Sequence, residues 1–187
     1  MILICTTGIA LAVQDPITPR QSDERDKALI QSAFDGDLAE VQVLVKKGAS
    51  TAAADSGNRT ALMWAAANGH ISVVEYLHGN GADLNAKDSD GQTALMYASK
   101  KSSLPTVEFL LKNGAKVNVQ SNKRGFTALI AAAAAGNAKL VGLLLDHGAD
   151  KALADKDGKT ALDRAEQYGH HDIVALLNDE STLANDR

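Results

Sequence analysis

An all-α solenoid of five helix-turn-helix units, joined by β-hairpin-like turns, is the fold class this sequence predicts. Three observations carry that expectation. First, Thr60-Ala61-Leu62-x-x-Ala65 returns as Thr93-Ala94-Leu95-x-x-Ala98, as Thr127-Ala128-Leu129-x-x-Ala132 and as Thr160-Ala161-Leu162-x-x-Ala165, in steps of 33, 34 and 33 residues. Second, Gly48-Ala49, Gly81-Ala82, Gly114-Ala115 and Gly148-Ala149 keep the same beat. Third, aromatics make up only 4% of the chain, which is otherwise rich in Ala, Leu and Val, a mixture suited to short helices at close approach. A period of this length marks a stacked array in which no unit buries its apolar face alone.

Lys27-Ala28-Leu29 is a degenerate first copy, so the units fall at about 22–54, 55–87, 88–120, 121–154 and 155–180. In the first, Ala28, Leu29, Ser32 and Ala33 form a small-residue stripe at helical spacing, Gly36-Asp37 breaks the helix, and Val41, Leu44 and Val45 begin a second apolar stripe. Lys46-Lys47-Gly48 closes that helix, with cations at the negative end of its dipole and a glycine able to turn left-handed. In the second unit, Asp55-Ser-Gly-Asn58 reads as a turn, Thr60 as a helix cap, and Asn68-Gly69-His70 as a reversal into Ile71, Val73, Val74 and Leu77. The third unit departs at its reversal, where Lys100-Lys101-Ser102-Ser103 stands, and Pro105 follows in the first turn of the outer helix. The fourth carries its extra residue in Ser121-Asn-Lys-Arg-Gly125, a lengthened tip over the alanines 131–135. The fifth starts from Asp155-Lys-Asp-Gly158 and ends on Asn178-Asp179-Glu180, polar where a last face meets water; residues 181–187 are a polar tail.

Ahead of the array, Met1 to Val13 is uncharged and mostly apolar, and Asp15-Pro-Ile-Thr-Pro19 interrupts it. The run is shorter than the roughly 20 residues a membrane span requires. It fits the apolar region of a secretory signal, with Ala10-Leu11-Ala12 as the small-x-small cleavage pattern, although no Lys or Arg follows Met1. Residues 1–21 are therefore read as signal peptide and linker. The expected location is periplasmic or secreted, with the cytoplasm as the alternative, and the mature chain is not expected to insert in a membrane. Cys5, the only cysteine, would be lost on cleavage, leaving a mature chain without thiols.

The units resemble the ankyrin repeat, whose pattern is close to D-x-x-G-x-T-P-L-H-x-A. Asp88-Ser-Asp-Gly91-Gln-Thr93-Ala-Leu95-Met-Tyr-Ala98 and Asp155-Lys-Asp-Gly158-Lys-Thr160-Ala-Leu162-Asp-Arg-Ala165 follow it, as do Gly-Ala-Asp-Leu-Asn at 81–85 and Gly-Ala-Lys-Val-Asn at 114–118. Ala61, Ala94, Ala128 and Ala161 replace the usual Pro, and Met63, Met96, Ile130 and Asp163 the usual His. With its leader, the chain resembles small exported bacterial ankyrin-repeat proteins. The resemblance implies a concave wall of hairpin tips and inner helices that binds other proteins, without catalysis and without a cofactor.

The residues offer little competing chemistry. Asp88-x-Asp90-Gly91 and Asp155-x-Asp157-Gly158 look like the start of a calcium loop, but Gly comes too early and Tyr97 and Arg164 stand where the bidentate Glu belongs. His70 and His170 occupy reversals, where an imidazole bonds turn carbonyls; His78 and His147 lie near outer-helix ends, and His171 sits beside His170. Neither a nucleophile–base pair nor a glycine-rich phosphate loop is legible. A net charge of −4 lacks the clustered basic face of a nucleic-acid binder.

A surface is left as the functional candidate. Projected through the repeat register, it comprises Arg59, Met63, Trp64 and Asn68; Asp90, Gln92, Met96, Tyr97, Lys100 and Lys101; Lys123, Arg124 and Phe126; and Lys159, Arg164 and Tyr168. Trp, Tyr and Arg are the residues most enriched at hot spots, and methionine adds adaptable apolar contact. Trp64 and Tyr97 either stand open or pack across the seam between units; Phe126 is expected to be exposed at its tip. Lys100, Lys101, Lys123 and Arg124 favour an acidic epitope on a protein partner. The expected function is a monomeric protein-binding module, with regulation or inhibition of a partner enzyme as the alternative.

Overall fold

The computed structural model describes residues 19–179. The expected signal peptide, Cys5 and the polar tail lie outside them, apart from residues 19–21. The helices are α1 Pro19–Asp35, α2 Leu38–Lys46, α3 Ala61–Asn68, α4 Ile71–Gly79, α5 Ala94–Lys101, α6 Leu104–Lys112, α7 Ala128–Ala134, α8 Ala138–Asp146, α9 Ala161–Gln167 and α10 His171–Asn178. Strand structure among the described residues is a single isolated bridge between Ala54 and Thr60. Each odd-numbered helix packs on the next odd one and on the even helix that follows it, and the even helices form a second row. The chain is thus an all-α repeat solenoid of two helical layers. No helix among the described residues is long and apolar enough to cross a membrane.

Composition explains why the inner row is the tighter one. Ala61, Ala65, Ala98, Ala132 and Ala165 are buried at the contacts between inner helices, and side chains this small let the backbones approach. Leu62, Leu95 and Leu129 fill the layer beneath, against Val74, Leu77, Val107, Leu110, Val141 and Leu144 of the outer row. Thr60, Thr127 and Thr160 cap their helices by accepting from the amides of Met63, Ile130 and Asp163. Between the rows, the His70 and His170 rings reach back to the carbonyls of Phe34 and Ala134, at 3.1 and 3.4 Å. Asn85 and Asn118 stitch the opposite edge: Asn85 donates to the Gly114 carbonyl and accepts from Lys116, and Asn118 does the same with Gly148 and Asp150.

The tips also bond to one another. Ser89 N–H donates to the Gly57 carbonyl, Asn122 and Lys123 N–H both to Asp90, and Lys156 N–H to Arg124. The extra residue of the fourth tip is visible here. Asp55, Asp88 and Asp155 donate their amides to the carbonyls of Arg59, Gln92 and Lys159, whereas Ser121 reaches one residue further, to Phe126.

Two features of α5 break the pattern. Its reversal passes through Ser102 at φ 60°, where the corresponding residues of other units are Gly36, Gly69, Gly136 and Gly169. A left-handed conformation costs a non-glycine residue about 1 kcal/mol. Thr93, unlike the other threonines of the motif, makes no cap, and its hydroxyl is buried without a partner.

Candidate binding surface

The surface is built from the turns upward. In three turns the leading aspartate has two jobs. One carboxylate oxygen pins the loop: Asp55 Oδ1 accepts from the amides of Gly57 and Arg59, Asp88 Oδ1 from Asp90 and Gln92, and Asp155 Oδ1 from Asp157 and Lys159, all at 2.8–3.0 Å. The other oxygen takes a donor from the inner helix nine residues later. Trp64 Nε1 lies 3.1 Å from Asp55, Tyr97 Oη 2.6 Å from Asp88, and Arg164 Nε 2.9 Å from Asp155. Burial alone would raise the pKa of Asp55 and Asp155, but these donors outweigh it and keep both carboxyls below the ordinary range. Tyr97 moves the other way, its phenol pushed up first by burial and then by its bond to Asp88. The leading carboxylates of the calcium-like turns, Asp88 and Asp155, are thus engaged with turn amides and helix donors.

That arrangement decides between the two expectations for the aromatic residues. Trp64 and Tyr97 are half-buried and held by their own turns, Trp64 also packing edge-on against Phe34 of the preceding unit, and cations cover their faces. The Arg59 guanidinium lies 4.2 Å over the Trp64 ring and the Lys100 ammonium 5.5 Å over Tyr97. Phe126, expected to stand exposed at a tip, is half-buried between the guanidinium groups of Arg124 at 6.0 Å and Arg164 at 5.7 Å. The aromatics are walls, and the chemistry they present to solvent is largely cationic.

Met63 and Met96 require correction. They are 1% and 2% exposed and belong to the core, as does Ile130 at the same register. They stand at the third helical position, about 100° round the helix from Trp64 and Tyr97, and that rotation turns them inward. They offer nothing to a partner. Asn68 is also occupied, donating to the carbonyls of Phe34 and Trp64. Lys101 and Lys159 are exposed, and Tyr168, 55% exposed, has the largest open aromatic surface among the described residues.

The remaining residues converge. Asp90, Gln92, Lys100, Lys123, Arg124 and Phe126, together with Ser121, line a pocket of about 220 Å3 between the third and fourth tips. Ser121 was not anticipated from the sequence. It stands where the other turns have Asp, its hydroxyl accepts only the Phe126 amide, at 3.0 Å, and the helix position that elsewhere supplies Trp, Tyr or Arg is here Ala131, buried and without a donor. The signal was present as an absence, since Asp and its donor nine residues later recur in three units and fail together in the fourth.

A two-row helical solenoid with one structured face of tips and inner helices defines a repeat scaffold of the kind that presents a recognition surface. The chain matches the family model "Ankyrin repeats (3 copies)" over residues 8–88, 29–121 and 119–186. It belongs to the ankyrin repeat family, whose members are in general protein–protein interaction modules. No curated protein matches the chain.

Proposed function

We propose that this protein is a non-catalytic, monomeric module that binds a protein partner carrying an acidic segment, through the face formed by its tips and inner helices. The supporting observation is the row of half-buried side chains Trp64, Tyr97, Phe126 and Arg164, each fixed by its own turn or by neighbouring guanidinium groups, with Arg59, Lys100 and Arg124 laid over the rings. Side chains already fixed in the free protein lose little entropy on binding, so a modest contact area suffices for recognition. The acidic character of the partner follows from the cations on that face.

Site-specific photo-cross-linking in the producing cell tests the reading. A benzophenone side chain at Lys101 or Tyr168, both exposed on the inner-helix side, should capture one discrete protein; the same group at Glu75, exposed on the outer row, should not. Adducts arising only from Glu75, or none from any position, would remove the proposal.

A location in the bacterial envelope is part of the proposal, and the apolar run Met1 to Val13 with the Ala10-x-Ala12 pattern supports it. The mass of the mature N-terminus checks this. A periplasmic chain beginning at Val13 supports export, and an intact Met1 form confined to the cytoplasm sinks it.

A further inference from the structure

We propose that the pocket between the third and fourth tips is a receptor for a single carboxylate, the side chain of a Glu or Asp on the partner, and that the missing aspartate of the fourth turn is what leaves it vacant for one. The inference rests on the reading of this face as the binding face and names the chemistry it takes up.

The argument begins from the other turns. At each of them a carboxylate from the protein itself sits between turn amides and a helix donor. At the fourth turn that carboxylate is replaced by Ser121, the donor by Ala131, and the loop is one residue longer. The pocket that opens beside Ser121 is lined by three cations, Lys100, Lys123 and Arg124, against one carboxylate at its edge, Asp90. Asp90 offsets only part of that charge: its one ion pair, to Lys123 Nζ, is long at 3.8 Å, and the lysine side chain is 70% exposed, so the pair is weak. Lys100 donates only to the neutral Gln92 amide oxygen. Asp88 lies behind the pocket, buried, with its oxygens committed to turn amides and Tyr97.

The environment of Lys100 points the same way. Partial desolvation of its ammonium and the neighbouring Arg124 hold its pKa below the ordinary lysine range, against the opposing pull of Asp88 and Asp90, while the residue keeps an exposed face. An entering anion relieves that stress, which is a direct coupling between occupancy and charge. Phe126 supplies an apolar wall for the methylene stem of an acidic side chain. Size selects among anions: drug-sized ligands and cofactors occupy roughly 300–1,000 Å3, so about 220 Å3 suits one side chain rather than a metabolite. The left-handed Ser102 closes the helix that carries Lys100, and backbone strain of this kind concentrates at functional sites.

The test is an amide-resolved NMR titration of the full chain with the blocked peptide acetyl-Ala-Ala-Glu-Ala-Ala-amide, its Gln counterpart and inorganic phosphate. The Glu peptide should shift the amides of Lys100, Asn122, Lys123, Arg124 and Phe126 in a saturable way, and the Gln peptide should leave them in place. Lys123→Gln combined with Arg124→Gln, both exposed and outside the core, should weaken the response about tenfold while the rest of the spectrum stays that of the folded protein. Equal shifts from the Gln peptide, shifts scattered over all surface lysines, or tighter occupancy by phosphate at the same amides would each overturn the carboxylate assignment. Because the titration needs no natural partner, its failure removes the pocket even where cross-linking through Lys101 and Tyr168 succeeds, and its success stands where cross-linking finds nothing.

Discussion

Replacing Asp88 with alanine removes the pin of the central turn, and the structure sets the size of the effect. Its Oδ1 accepts two amides, Asp90 at 2.9 Å and Gln92 at 2.8 Å, and its Oδ2 accepts the Tyr97 hydroxyl at 2.6 Å. Hydrogen bonds to a charged acceptor contribute about 1.5–3 kcal/mol each. The turn is partly open to water, so the lower end applies to the two amides, about 3 kcal/mol together. The tyrosine hydroxyl can turn toward solvent, which limits that loss to less than about 1 kcal/mol. Asp88→Ala should therefore cost about 3–4 kcal/mol. Asp88→Asn retains one oxygen for the amides and should cost about 1 kcal/mol. Urea unfolding followed by circular dichroism measures both. Because the Asp88 turn also bonds Gly57 on one side and Asn122 on the other, the alanine variant should broaden the transition as the two ends of the solenoid uncouple. The same variant should bring the Tyr97 phenol back toward its free titration, since part of what raises it is the bond to Asp88. If the alanine variant lies within about 1 kcal/mol of the parent, or the asparagine variant matches it, the aspartate does not carry the turn and the reasoning fails.

Three further predictions follow from single sites. Gly91→Ala places a Cβ 2.7 Å from the Asn122 backbone nitrogen at φ +75°, while Gly158→Ala, at φ +72°, meets nothing within 4 Å; the first should cost clearly more than the ~1 kcal/mol expected of left-handed strain alone, and the second about that. Equal urea midpoints for the two would refute the contact argument. Ser102→Gly relieves the left-handed serine and should stabilise by about 1 kcal/mol, read as a higher urea midpoint; an unchanged or lower midpoint would refute the strain argument. For Asp155, the Arg164 guanidinium and the amides of Lys159 and Asp157 together overcome burial and lower its folded pKa below the ordinary value. Its contribution is thus present above about pH 3.9 and lost as the pH falls through the folded pKa. Asp155→Asn should flatten the acid limb of the stability curve below about pH 4 and leave the slope near neutrality unchanged. A parent-like acid limb would count against the assignment.

Much of this fold is legible in the sequence because repetition converts a weak local signal into a strong one. Thr60, Thr127 and Thr160 announce helix starts, Gly36, Gly69, Gly136 and Gly169 the reversals, and His70 and His170 the bonds that join one unit to the last. The site is less legible, for two physical reasons. Leu62-Met63-Trp64 and Leu95-Met96-Tyr97 are consecutive apolar residues on a short helix, and a run of that kind carries no stripe from which to read a facing direction. The error for Met63 and Met96 was a rotation of one residue. The bonds from Asp55, Asp88 and Asp155 to residues nine positions on cross from turn to helix, so they become visible only when the two are folded together.

The fourth tip shows why departures within a repeat are more informative than the repeat. Selection for stability alone favours the aspartate and its helix donor, since the aspartate pins its own turn through two amides and ties it to the inner helix through a further donor. Ser121, Ala131 and the added residue give up those bonds together, at one step and on one face. A random loss would leave a buried donor or acceptor without a partner, whereas here both ends of the interaction are gone and the local residues remain satisfied. Three cations surround the gap, and, counted from the leading turn residue, the other units have none at the matching positions: Lys100 from the preceding unit, Lys123 and Arg124 from the tip itself. A turn that lacks its own carboxylate and is ringed by cations is complementary to a carboxylate from elsewhere, and the backbone bonds from Asn122 and Lys123 to Asp90 hold the two tips side by side around it.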